Sequence, residues 1–440
     1  MKSIAHFIKS YSFIFLWITG GFIHPYIGAL LAFVTTVLLI KKERYVELLI
    51  GFWVLLIFSD STIRGLSFAH LVKPAIMLII GLFTLLISSK KHLKNPIIGP
   101  FIPFFIYVTI KMFFQPDFII SFQKILSFFF IYFSPPVLFL LIKRQNRVDE
   151  LLKSVVVVGN FILISCIVLG VILPDIGSQY GGRLNGIFRN PNGIGLFVLL
   201  YGVLAYLIFE HISFPKTVKR ITLISILIIL LFSGSRSSLG SLIIFISGTF
   251  IARYSAWFFA IFTAVFYFIY PIVYDFIILS IYRLGYSKMF RLDTLGMASG
   301  RIFIWEAAKK EIMENLFFFG GGFDSANSQL WLKKYYMEIP ELIHHQGNIH
   351  QSFLTMWFNN GIIGLALFAF GWMKNIIRAL KKSPLTLPVV AAMIFSASYE
   401  SWLVASLNPY MIQLILIFAI IFFYDHPEIQ ESNGENHIKL

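Results

Sequence analysis

The sequence predicts an all-α fold, a polytopic membrane helical bundle of about 12–14 transmembrane helices with one long extracytoplasmic loop. Three observations predict it. Hydrophobic residues make up 58% of the 440 residues and charged residues only 13%. Mean hydropathy is +0.81. Apolar runs recur from Tyr11 to Tyr424, many near the ~20 residues that cross a bilayer. In that medium every backbone polar group must bond within its own segment, so an apolar run of this length is read as a helix.

In chain order, spans are expected near 11–24, 25–40, 45–59, 71–88, 97–114, 122–142, 151–173, 191–210, 221–233, 237–253, 255–280, 351–372, 385–406 and 409–424. The first pair and the pair meeting at 233–237 are short enough to be re-entrant hairpins. The opening Met1-Lys2-Ser3 precedes an apolar stretch without a small-residue cleavage site, so the first span is read as uncleaved. Cys166 is the single cysteine and lies in an apolar segment, which excludes a disulfide or a cysteine metal site within one chain.

The net charge of +15 does not call for nucleic acid. The basic clusters fall between spans: Lys41-Lys42-Glu43-Arg44, Lys90-Lys91, Lys143-Arg144 with Arg147, Lys216 with Lys219-Arg220, and Lys381-Lys382. With the spans above, all five land on one side, which the excess of Lys and Arg marks as the cytoplasm. The long hydrophilic segment and the turns at 174–190, 233–237 and 400–408 then lie outside. The chain divides into a membrane region over 1–280 holding the first eleven spans, an extracytoplasmic loop with amphipathic helices over 281–350, C-terminal spans over 351–424 and a cytoplasmic tail over 425–440. No internal repeat is visible, which weakens a transporter built from two related halves.

Arginines sit where helices on the outer face begin. Arg189 precedes Asn190-Pro191, a capping Asn with Pro at the first helical position. Arg236 follows Ser233-Gly234-Ser235, and Arg301 follows Ser299-Gly300 ahead of Ile302, Trp305, Ile312 and Leu316, an amphipathic helix expected to stop at Gly320-Gly321-Gly322. A helix N-terminus carries partial positive charge, so a cation there makes sense if a shared anion such as phosphate bridges the two. Each arginine taken alone could instead snorkel to headgroups or pair with a carboxylate. Together, and with Arg183, they point to a pocket for a multiply charged anion.

Glu341-Leu342-Ile343-His344-His345-Gln346-Gly347-Asn348-Ile349-His350-Gln351 closes the long loop. A neutral histidine there can take a proton from a hydroxyl. The spacing matches neither a His-x-x-x-His helix nor a zinc ribbon. The three glycines precede no Lys-Ser or Lys-Thr and form no phosphate loop. Glu400 lies in an apolar run, where a carboxylate needs a partner such as an arginine or histidine, or a bond to a neighbouring helix.

His350-Gln351, nine residues, then Gly361-Ile362-Ile363-Gly364 resembles a pattern of the O-antigen ligase and polymerase superfamily of bacterial envelope polysaccharide enzymes. Arg183-Leu184-Asn185-Gly186-Ile187-Phe188-Arg189-Asn190-Pro191-Asn192, Gly234-Ser235-Arg236 and Ser299-Gly300-Arg301 with Trp305 are similar in kind and in order. The resemblance implies a GT-C-like, metal-independent glycosyltransferase without a cofactor. Its donor would be an oligosaccharide on undecaprenyl diphosphate at the outer face of the bacterial cytoplasmic membrane. Carried over, His350 matches the base that activates an acceptor hydroxyl, and Arg236 and Arg301 match arginines assigned to the diphosphate. Arg189, Arg183, Asn192, His345 and Glu400 are the expected substrate contacts. The partners implied are donor, glycan acceptor, membrane lipids and a chain-length regulator protein, with no nucleic acid. Glu400-Ser401-Trp402-Leu403 with Ser406-Leu407-Asn408-Pro409 looks like the last corner of capsule and exopolysaccharide polymerases, favouring a repeat-unit polymerase over a ligase to lipid A-core. A lipid-linked oligosaccharide flippase is the alternative from another class.

Overall fold

A computed structural model describes residues 2–88, 95–115, 117–179, 182–255, 301–323, 331–339, 348–405 and 407–424, with isolated positions between 257 and 285 and at 325. Over these segments the architecture is helical apart from one two-stranded hairpin. The helices are α1 (Lys2–Ile23), α2 (Pro25–Lys41), α3 (Tyr45–Ser59), α4 (Phe68–Ile87), α5 (Ile102–Met112), α6 (Phe118–Arg144), α7 (Val148–Ile172), α8 (Pro191–His211), α9 (Lys216–Ser233), α10 (Arg236–Tyr254), α11 (Arg301–Glu311), α12 (Ser352–Leu380), α13 (Thr386–Tyr399) and α14 (Pro409–Phe423). Among the described residues, five helical stretches are long and apolar enough to cross a membrane, Arg64–Ile87, Phe118–Arg144, Val148–Ile172, Pro191–His211 and Ser352–Leu380, and shorter apolar helices accompany them. The chain is a polytopic helical membrane protein.

Local chemistry sets the ends. The Asn190 and Asn408 side chains accept from the backbone N–H groups of Gly193 at 2.8 Å and Met411 at 2.9 Å, each ahead of a Pro at the first helical position of α8 and α14. Gly234 ends α9 in the left-handed region, φ 59°. α3, α8 and α14 are buried along nearly their whole length and form the centre. Leu30, Leu86, Val171 and Phe232 point outward from α2, α4, α7 and α9, as lipid-facing residues should.

Arg44, Lys143 and Arg147, from the basic loops, meet at one end of the bundle. At the start of α3, buried Glu47 binds Arg44 at 2.7 Å and Arg147 at 3.3 Å, so two basic loops meet on one carboxylate. Lys143 Nζ donates to the Phe423 carbonyl, and the Tyr424 hydroxyl donates to Asp149 at 3.0 Å, at that same end. The opposite end holds Asp60 after α3, Asn190 before α8 and Asn408 before α14. There a hairpin of two residues a side pairs Ser178 with Leu184 and Gln179 with Arg183.

Three details depart from the sequence reading. The apolar run over 385–406 is not one helix: α13 ends at Tyr399, Glu400 is extended, and a 3-10 turn follows over Trp402–Val404. The buried stripe of α11 is Ile304, Ala307, Ala308 and Glu311, continuing to Ile312, while Ile302 faces out. Its core partners include Trp331, Leu332, Tyr335 and Phe358, and of the expected stripe Trp305, Ile312 and Leu316 pack on that core while Ile302 alone does not. Lastly, α12 is broken at Gly361 (φ 69°, ψ −179°). The segment ahead of the three glycines stitches the break: Ile362 N–H donates to the Phe317 carbonyl at 2.8 Å, and Gly321 and Gly322 N–H donate to Phe358 at 2.9 Å and Asn359 at 2.8 Å. Lys111 and Tyr107 donate to the Asn359 and Asn360 carbonyls at 2.6 and 2.9 Å. Backbone groups freed by a broken helix at membrane depth must be satisfied in some such way.

Candidate active site

Glu400 is where separate parts of the chain converge. Its extended backbone at the end of α13 turns the carboxylate out of the helix line, and Ser352 Oγ fixes the turn by donating to the Glu400 carbonyl at 2.7 Å. Arg301, the first residue of α11, places Nη2 2.7 Å from Glu400 Oε1 and donates from Nη1 to the Tyr399 carbonyl. Asn192, in the first turn of α8, donates from Nδ2 to the same carboxylate oxygen at 3.1 Å. The other oxygen, Oε2, faces His350 Nδ1 at 3.6 Å, an ion-pair distance longer than a hydrogen bond.

His350 has a tightly held backbone. Its φ of 54° lies in the left-handed region, which a non-glycine residue enters at a cost. The Asn348 side chain accepts from His350 N–H at 2.9 Å and from Ser401 Oγ at 3.0 Å. Trp305 Nε1 donates to the Ile349 carbonyl at 2.8 Å, and Leu403 N–H donates to Ser352 Oγ at 3.3 Å. The segment 348–352 is thus laced to α11 on one side and to the 400–403 corner on the other. Nδ1 is turned to Glu400, and the side chain remains one-third exposed (35%).

Burial alone would raise the Glu400 carboxyl, yet the facing His350 and the Arg301 guanidinium hold it below the ordinary carboxylate value. It is therefore a fixed anion between two basic groups. Arg301 uses two of its five N–H donors in the bonds above.

The remaining arginines have distinct surroundings. Arg183 donates from Nε to the Ser233 carbonyl at 2.7 Å, and from Nη2 to Asn192 Oδ1 at 2.9 Å and the Gly234 carbonyl at 3.3 Å. It closes the C-terminus of α9, where a cation is favourable, and orients Asn192 towards Glu400. Arg236 opens α10 two residues after the turn that Arg183 holds, half-buried, and α10 packs along α13. Arg189 has an exposed side chain, while its N–H donates to the Asp60 carbonyl at 2.6 Å. His345 lies outside the described residues.

Sequence reasoning passed over Asp60, Lys73, Asn348 and Ser352. Asp60 receives the Tyr410 hydroxyl at 3.2 Å, and burial pushes its carboxyl up to about 6 against the pull of Tyr410, Lys73 and Arg189. A carboxylate and a lysine at the same ends of adjacent spans were the available signal. Among the described residues, no three His, Cys, Asp or Glu side chains cluster as a metal site would require.

No curated protein matches the chain. A family model does: residues 221–369 match the family described as O-antigen ligase. That stretch contains Arg236, Arg301, His350 and the Gly361 break, while Arg183, Asn192 and Glu400 lie outside it and are joined to it by the bonds above. Over that stretch the chain is similar to the O-antigen ligase family, in line with the ordered motifs of its sequence.

Proposed function

We propose that the protein transfers a glycan from an undecaprenyl-diphosphate donor to an acceptor sugar hydroxyl at the outer face of the bacterial cytoplasmic membrane, as a surface-polysaccharide repeat-unit polymerase. The observation that carries the reading is the Arg301–Glu400–His350 array, with its 2.7 and 3.6 Å spacings, at the bundle end opposite the basic loops. By the excess of Lys and Arg, those loops face the cytoplasm and the array faces the periplasm or cell exterior.

In this mechanism His350 Nε2 accepts the proton of the acceptor hydroxyl as its oxygen bonds the anomeric carbon. The bond from that carbon to the diphosphate oxygen breaks, and undecaprenyl diphosphate leaves with the electron pair. Glu400 steadies the imidazolium that forms, as a fixed anion facing Nδ1. Arg301 and Arg236 receive the leaving negative charge, with Arg189 at the rim and Arg183 positioning Asn192. A fixed, half-buried cation needs little reorganisation at that moment. The residues invoked perform the step without a metal or cofactor. A chain-length regulator protein is the partner proposed for such a polymerase.

The description of the matched family favours a second reading, a ligase that passes a finished chain to lipid A-core. Gel profiling of surface glycan from a deletion strain, complemented with wild type or His350→Ala, separates the two. A polymerase leaves single repeat units in the deletion and in His350→Ala. A ligase leaves long chains on the carrier lipid that never reach their acceptor. Normal glycan with His350→Ala rejects the catalytic assignment and favours a flippase.

A further inference from the structure

Beside the Glu400 array lies a second compartment that the transfer chemistry does not use. A cavity of about 220 Å³ opens between the end of α3, the first turns of α4, the N-terminus of α8 and the 400–410 corner. Its polar walls include Asp60, Lys73, Asn192 and Glu400, and its apolar walls include Trp402 and Tyr410. Asn192 and Glu400 belong to both compartments, so whatever fills the cavity adjoins the reacting centre.

Size and charge narrow the occupant. The volume is below the ~300 Å³ at which pockets for drug-sized molecules begin, and leaves room for one ring rather than for a diphosphate with its lipid. Lys73 attracts Asp60 and places Nζ 3.5 Å from Ser59 Oγ, while Glu400 is matched by Arg301 and faced by His350. Two carboxylates against one lysine line the cavity, so its walls carry no excess of positive charge to hold a dianion. Tyr410 donates to only one Asp60 oxygen, Oδ2, which leaves the carboxylate's second oxygen to accept from a hydroxyl. Carboxylate, ammonium and amide groups above apolar walls suit a molecule with an apolar ring and a polar edge.

We propose that this cavity is a subsite for one neutral, hydroxyl-rich sugar ring, gripped by Asp60, Lys73 and Asn192. The inference rests on the glycan-transfer reading and deepens it. Two sources share this chemistry: the donor's first sugar and the acceptor's terminal sugar.

The test uses a thiol placed in the cavity wall. Cys166 is fully buried, so Ser59→Cys introduces the one accessible thiol among the described residues. The full chain in lipid nanodiscs is labelled with a charged methanethiosulfonate reagent. Three probes are added in turn: lipid-linked repeat unit extracted from the deletion strain, the same repeat unit released from its lipid by mild acid, and undecaprenyl phosphate. The labelling rate should fall at least about fivefold with a glycan present and stay unchanged with undecaprenyl phosphate. Protection by the released glycan identifies the acceptor sugar; protection by the lipid-linked form alone identifies the donor sugar. Equal protection by undecaprenyl phosphate, or none by either glycan, overturns the proposal. Should Ser59→Cys fail to fold, Asp60→Asn decides: its KM for the glycan should rise about tenfold with kcat within about twofold. An unchanged KM, or a loss confined to kcat, also overturns it. Wild-type turnover in the same nanodiscs tests the transfer reading separately, since a chain that transfers glycan but shows no protection loses only the subsite.

Discussion

At the scale of single residues, Glu400 does more than neutralise an arginine. Its two oxygens are divided, one to Arg301 and Asn192 and the other towards His350, so its removal unfixes three side chains at once. Glu400→Gln should lower kcat by about 100-fold while lipid-linked donor still binds, read by single-turnover and binding assays on the purified protein. Because its folded pKa lies below the ordinary value, the carboxylate contributes stability above the unfolded pKa, about 4.3, and loses it as pH falls through the folded one. The melting-temperature gap between wild type and Glu400→Gln should therefore be full at pH 6–7 and close only below about pH 4. A gap that already shrinks as pH falls from 7 to 5 would show that the Glu400 carboxyl is not held low in the folded protein. Arg301→Lys keeps the charge but loses the planar fork that reaches both the carboxylate and the Tyr399 carbonyl. It should recover less than about a tenth of wild-type kcat/KM, measured with the same donor. His350 and Arg301 were legible because their residue types and motif spacing carry chemistry. Asp60 was not, since one carboxylate at a span end reads as an ordinary helix terminus until Tyr410, from the far end of the chain, is folded against it.

At the scale of elements, the site depends on helix ends and on one helix break. The Asn-Pro starts of α8 and α14 were readable, because capping and a pre-set φ are local physics. The break in α12 was not. Gly361-Ile362-Ile363-Gly364 entered the sequence reading only as part of a family motif inside an expected span, whereas Gly361 takes a φ of 69° and the 317–322 segment crosses the gap. A Cβ at Gly361 would collide with the Phe318 backbone. Gly361→Ala should cost about 3 kcal/mol, seen as a lower melting temperature in detergent, and should reduce transfer although residue 361 is remote from Glu400 in the bonding network. Lys111→Met tests the same break from the other side. It leaves the buried Asn359 carbonyl without its lysine donor and should cost about 1–3 kcal/mol. If Lys111→Met is as stable as wild type, the lysine is not the support the geometry implies.

At the scale of the whole molecule, the sequence speaks clearly on what hydropathy controls and poorly on what distant pairing controls. Helices, their order and a basic end follow from apolar runs and loop charges, both local properties. The site is built from Arg183, Asn192, Arg301, His350 and Glu400, which meet only after the helices pack, and no periodicity reports that meeting. The two ends of α3 join the two levels. Glu47 gathers Arg44 and Arg147 at one end of α3, and Asp60 at the other end faces the candidate site, so fixing the side of either end fixes the side of the chemistry. Lys42→Cys and Asp175→Cys are exposed markers of the two ends, and buried Cys166 stays silent. In intact spheroplasts an impermeant maleimide should label Asp175→Cys and reach Lys42→Cys only after permeabilisation. The reverse pattern would place the Glu400 array in the cytoplasm. A donor already carried to the outer leaflet would then be out of reach, and the transfer reading would have to give way to chemistry on the inner face.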